Sequence, residues 1–454
     1  MSLTSSQSLR TEFREFLRLA VPLASAQVAQ STTGFVDTVI MGRLGQETLA
    51  AGGLAAITFT ALLNVASWVM SGVSPLVAEA YGAGNKARIQ HLARQGLWLS
   101  LILAIPVMFF LANIDTLMRQ FGQQATTVAL AKTYLDIMLW GIFPALAFAT
   151  LRSIVSGLSY ARPVMLIVVG GTLFNIAGNY VLGLGKFGFP TMGLQGLALA
   201  SIASLWGMFL SLVTYILRHR QLKAYRLFEN LHQLKGQIFW ELVLISAPIG
   251  VSAALETGLF TVVTYLMGAL GTEVLAAHQI VLQTIIVIFM VPLGMSFATT
   301  VRVGQWNGQQ NLAAALQAGY VGIGSGVVFM TMMAIALLVF PQQVIGLYID
   351  VRAPENAAVV AIVMPMLTIA AVAQILDSVQ KTTSGALYGL KDTRIPMFIS
   401  FCTFWGIGLT TGYLLGFHFG LGGTGLWLGQ SIGVAIAAGV FLWRFRQLSL
   451  SKSW

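Results

Sequence analysis

Apolar blocks of about 20 residues, nearly free of charge, alternate along the chain with short polar connections. A helix of about 20 residues crosses the hydrocarbon core of a bilayer. Blocks of this kind fall at roughly 16–40, 52–76, 95–114, 129–152, 163–184, 194–217, 240–267, 277–301, 316–340, 357–380, 396–418 and 424–446, which predicts twelve membrane spans. Helix is the conformation expected, because lipid offers no partners to open backbone groups. The blocks also lack the two-residue alternation of a membrane barrel. Pro22, Pro106, Pro144, Pro248, Pro292 and Pro365 fall inside them, as membrane helices tolerate.

Composition agrees: 57% of the residues are hydrophobic and only 9% charged. A soluble domain carries about 25% charged residues, so a large soluble enzyme is excluded. The net charge of +10, from 25 Lys and Arg against 15 Asp and Glu, would suggest nucleic acid on a soluble protein. In a membrane protein it reports topology instead. With the N-terminus inside, most basic residues fall in cytoplasmic segments, including Lys452 near the end of the chain. Only Arg43, Arg119, Lys132, Lys186 and Arg352 fall outside, and Arg152 and Lys381 lie at or within helix ends. This bias predicts that both termini are cytoplasmic. The polar stretch 1–18 shows no cleavable signal peptide, and the lone Cys402 reads as a small packing residue.

The longest polar connection, Arg218 to Gln237, separates two sets of six spans that repeat one another. Pro22 recurs as Pro248, Met41-Gly42 as Met267-Gly268, Leu44-Gly45 as Leu270-Gly271, Gly82 as Gly308 and Asn85 as Asn311, all at an offset of 226. An even number of spans per half makes the repeats parallel, related by a pseudo-twofold axis along the membrane normal. The expected organisation is an N-terminal lobe at 1–225, a cytoplasmic linker at 226–239 and a C-terminal lobe at 240–454. Duplicated six-span halves are an architecture of secondary transporters.

A charge at the bilayer centre costs at least about 2.5–3.5 kcal/mol, so one kept there is a functional-site hypothesis. Most of the 15 acids have ordinary explanations. Glu12, Glu15, Glu47, Asp115, Glu229, Glu273, Asp350, Glu355 and Asp392 are expected in loops or tails. Glu79 and Glu241 sit near helix ends, and Asp136 is four residues after Lys132, a local ion-pair spacing. Asp37, Glu256 and Asp377 remain, in the first, seventh and tenth spans. None obeys the repeat, whose partners for Asp37 and Glu256 are Val263 and Gln30. A carboxyl group held away from water can take up a proton, or share sodium among several oxygens. Either event changes the charge of a cavity and so its hold on a cationic substrate, a competition that is reciprocal by linkage.

Several segments together resemble the multidrug and toxic compound extrusion (MATE) family, its NorM-like branch in particular. They are Val36–Gly45, Ala80–Asn85, Leu275–Ile280, Val301–Gln305 and Ser384–Arg394. The resemblance implies an exporter of organic cationic drugs and dyes, twelve-helical and two-lobed, driven by Na+ or H+ entry in the bacterial inner membrane. It also implies no cofactor beyond the coupling ion, no nucleic acid, no enzymatic activity and a monomer in the lipid bilayer. By resemblance Glu256 and Asp377 form the C-lobe cation site, which would hold Na+ if sodium is the coupling ion, and Asp37 is the N-lobe acid. Asn175 and Asn179 are its polar neighbours, and their spacing of four puts both amides on one helix face. Gln279 and Phe289 resemble positions on the drug path, and Phe289 offers a ring face to a cation. Ala373 stands where certain relatives carry a tyrosine, one oxygen fewer for a sodium site. The alternative is a flippase of a lipid-linked precursor, which would need a cationic cavity. Scattered histidines and the lack of a nucleotide or nucleophile motif argue against an embedded enzyme.

Overall fold

The computed structural model describes residues 5–120 and 122–451, so Lys452 lies outside the described residues. Each predicted span is a helix. They are α1 (Ser5–Leu44), α2 (Glu47–Gly82), α3 (Lys86–Ala112), α4 (Ala125–Gly157), α5 (Ala161–Gly183), α6 (Gly193–Arg218), α7 (Gly236–Leu270), α8 (Thr272–Gly308), α9 (Leu312–Val339), α10 (Pro354–Gly389), α11 (Arg394–His418) and α12 (Gly422–Leu448). No strand occurs among the described residues. Eleven of these helices are long and apolar enough to cross a membrane. α1, with 40 residues, is long enough, but Gln27, Gln30, Ser31, Thr32, Thr33 and Asp37 lower its hydropathy. Large apolar side chains such as Ile57 (73% exposed) and Tyr265 (78%) point outward, as lipid requires and water penalises. The chain is an all-helical, multi-pass membrane protein.

Several helices run past the predicted spans. α10 continues to Gly389 and α4 to Gly157, which brings Lys381 and Arg152 inside helices rather than at their ends.

The repeat acquires a local cause. Gly45 and Gly271 turn the chain between the first two helices of each half at φ 120 and φ 132, a region open to glycine. Asn85 and Asn311 cap α3 and α9, accepting from the N–H of Arg88 at 2.9 Å and of Ala314 at 3.1 Å.

Two compact units result. Unit 1 comprises Met1–Ala24 and Val251–Trp454, and unit 2 comprises Ser25–Gly250. The divisions thus fall inside α1 and α7, not in the polar connection expected as the linker, and Ala24 and Gly250 again differ by 226. In unit 1 the first part of α1 is tied to α8. Arg302 donates to Glu12 from Nε at 2.8 Å and Nη2 at 2.6 Å, and the Trp306 indole donates at 3.0 Å. In unit 2 the first part of α7 is tied to α3 by Arg88 and Glu241 at 2.7 Å. The polar connection is laid along α3 as well: Trp98 donates to the Leu231 carbonyl at 2.7 Å and Gln95 to that of Gln233 at 3.2 Å.

These contacts revise the bland account of several acids. Glu12 and Glu15 lie in α1, Asp115 in the short helix Ile114–Gln120, and Glu47 and Glu273 in the first turns of α2 and α8, where the helix dipole favours them. Glu12 is buried rather than in a tail. Glu79 and Glu241 both face Arg88. The Lys132–Asp136 pair forms at 3.0 Å, as its spacing predicts.

Candidate functional site

Each unit holds one polar cluster inside otherwise apolar helices. In unit 2 the cluster joins α1, α5 and α6. Asn175 donates to the Ser201 hydroxyl at 3.0 Å, Asn179 donates to the Asn175 carbonyl oxygen at 3.0 Å, and Asn179 also donates to the Asp37 carboxylate. Both asparagines are buried, and their shared face is the one that the four-residue spacing predicts. From Asn179 to Gly183 the helix widens into a π turn, a distortion frequent at functional sites. About ten residues before Asp37 on α1, Gln27 accepts from Arg152 of α4 at 3.3 Å.

In unit 1 the cluster joins α7, α8 and α10. Glu256, half-buried on α7, is ion-paired with the buried Lys381 of α10 at 2.5 Å. The Lys381 ammonium also lies 5.8 Å from the centroid of the Phe289 ring on α8, within cation–π range. Asp377 sits one turn before Lys381 on α10, half-buried and within electrostatic reach of both Glu256 and Lys381. The backbone beneath Lys381 is held firmly: its carbonyl accepts from Ser296 at 2.7 Å and from Ser384 at 2.8 Å. A side chain on Gly385 would fall 2.5 Å from the Ser296 carbonyl oxygen, which keeps α8 and α10 close.

The structure therefore brings Glu256, Asp377 and Phe289 together, and separately Asp37, Asn175 and Asn179. Gln279 joins neither cluster. It precedes Phe289 by ten residues on α8, about 15 Å along the axis. Sequence reasoning passed over Lys381, Arg152 and Ser201. The signal for Lys381 was its position four residues after Asp377, a spacing that shares a helix face. Ser201 gave none, because serine is ordinary in membrane helices.

A family model described as MatE matches residues 22–181 and 248–414. The two segments begin 226 residues apart, at Pro22 and Pro248, so the match reproduces the internal repeat. The chain belongs to the MatE family. Asp37, Asn175 and Asn179 lie in the first matched segment, and Glu256, Phe289, Asp377 and Lys381 in the second. Among full-length relatives, this MatE chain is 54% identical to a Synechocystis sp. protein named "Probable multidrug resistance protein NorM", over 98% of this chain and 96% of the relative. It is 39% identical to "Multidrug resistance protein NorM" of Burkholderia vietnamiensis, over 94% of this chain and 92% of the relative. Its fold matches that of a MOP superfamily transporter from Pyrococcus furiosus with a TM-score of 0.88 at 21% identity, covering 100% of both chains.

Proposed function

We propose that this MatE protein is a multidrug efflux transporter of the bacterial inner membrane, working as a secondary antiporter. It exports organic cations in exchange for inward Na+ or H+ by alternating access of its two lobes. Both termini face the cytoplasm. The multidrug resistance names of its full-length relatives support the drug substrates and the direction of export. The basic residues concentrated in the expected cytoplasmic segments support the orientation.

The observation that carries the coupling assignment is the unit 1 cluster, in which Glu256 and Asp377 are kept within apolar helices where an idle carboxylate would be costly. In this reading an entering cation takes an oxygen of Asp377 or Glu256 and lowers the site's affinity for the drug cation, and the drug lowers the site's affinity for the entering cation. Asp37, held by Asn179, supplies a second acidic position in unit 2.

The test is uptake of a cationic dye into proteoliposomes under an imposed sodium gradient or an imposed pH gradient, applied separately. One gradient drives uphill movement by the wild type, and that gradient names the coupling ion. Asp377→Asn and Glu256→Gln should each reduce energised transport to the level of empty liposomes while remaining monodisperse. Wild-type rates in both variants would overturn the assignment.

A further inference from the structure

Three formal charges meet in unit 1: Glu256 and Asp377 are acidic and Lys381 is basic, a sum of −1. The ammonium occupies two positions at once that an organic cation would need. It is paired with the Glu256 carboxylate at 2.5 Å and stands over the Phe289 ring at 5.8 Å. Asp377 has no hydrogen-bonding partner among the described residues and keeps its oxygens available. The Lys381 backbone is pinned by Ser296 and Ser384, and its ammonium is a compact point charge held on Glu256.

We propose that Lys381 is the charge-setting residue of this site, a built-in counter-cation that neutralises Glu256 and limits the site to one added positive charge, taken at Asp377. The substrate class that follows is the monovalent organic cation, a quaternary ammonium or a protonated amine with apolar substituents. A dication brings a second positive charge to a site that, with Lys381 paired to Glu256, has only one negative charge left to balance, and it is disfavoured by that excess. Lys381 acts here through Glu256 and need not touch the substrate, which makes it a positioning and specificity residue. This inference rests on the transport reading above, and its test does not require transport.

The test measures dissociation constants for tetraphenylphosphonium, a monocation, and for methyl viologen, a compact dication, with full-length protein in nanodiscs at one alkaline pH. Wild type should favour the monocation. Lys381→Met should lower the dication-to-monocation ratio of dissociation constants about tenfold or more, equivalent to at least about 1.4 kcal/mol. Lys381→Arg, which keeps the charge, should leave the ratio within about twofold of wild type. The double variant Glu256→Gln/Lys381→Met restores a sum of −1 and should return the ratio towards wild type. A purely structural role for Lys381 would make the double variant no better than Lys381→Met. An unchanged ratio in Lys381→Met, or a double variant that follows it, overturns the proposal while dye transport by the wild type still stands. Failure of the wild type to bind either cation overturns both readings.

Discussion

Glu12 and Arg302 are nearly enclosed, with side chains 6% and 14% exposed, so each depends on the other for its charge. Removing one partner of a buried pair leaves the remaining ion uncompensated, at a cost of about 3–5 kcal/mol. Glu12→Ala should therefore lower the thermal unfolding temperature sharply in detergent. Glu12→Leu/Arg302→Met, which removes both charges, should recover most of the loss; equal damage in single and double variants would show that the pair is not the cause. The same principle explains what was legible at this scale. Asp37, Glu256 and Asp377 stand out because a carboxylate in an apolar run is anomalous whatever surrounds it. Glu12 stayed unremarkable because its neighbours are polar and its partner is 290 residues away. Lys381 reads as a helix end because the apolar run gives way to polar residues at Gln380, whereas the helix continues to Gly389.

The pairing of α11 and α12 rests on a seam of glycines. Gly408, Gly412 and Gly416 on α11 meet Gly425, Gly429 and Gly433 on α12, each series spaced by four. A side chain on Gly425 would fall 2.6 Å from the Gly416 nitrogen, and one on Gly433 would fall 2.7 Å from the Thr403 carbonyl oxygen. Small residues at this spacing let membrane helices touch backbone to backbone. α11 is also π-helical over Phe401–Leu409 and Leu414–His418. The first of these segments contains Trp405, the repeat partner of Asn179, whose own π turn sits in α5. Trp405 donates to the Leu255 carbonyl at 3.0 Å, one residue before Glu256, just as Asn179 donates to Asp37. Gly429→Ala should destabilise the protein by about 1–3 kcal/mol, the cost of overpacking. Gly439→Ala on the same helix meets open space and should leave the unfolding temperature nearly unchanged. Equal effects at both positions would refute the seam. The spacing of these glycines is readable in the sequence, but the helix they face is not, because small-residue steps also occur where nothing packs.

At the scale of the whole molecule, each half of the chain contributes the beginning of its first helix to the unit built mainly from the other half. A chain cut between Asn230 and Leu231, in an exposed loop, gives fragments that each lack part of a unit. The fragment ending at Asn230 is without the start of α7, and the fragment beginning at Leu231 is without the start of α1. Co-expressed, the two fragments should copurify as one monodisperse species, while either alone should aggregate. Independent folding of either fragment would contradict the shared helices. A polar linker is the natural boundary to draw from sequence, yet Trp98 and Gln95 fasten this one to α3. The two compact units divide within uninterrupted helix, where no composition change marks them.

By itself the sequence determined the number of spans, the duplication and the three anomalous acids, because bilayer thickness, the internal repeat and the cost of a buried charge all act on local patterns. Tertiary structure alone decided which charges meet. Lys381 lies 125 residues from Glu256 and 92 from Phe289, and only the packing of α7, α8 and α10 turns a lysine thought to mark a helix end into the counter-ion of the unit 1 site.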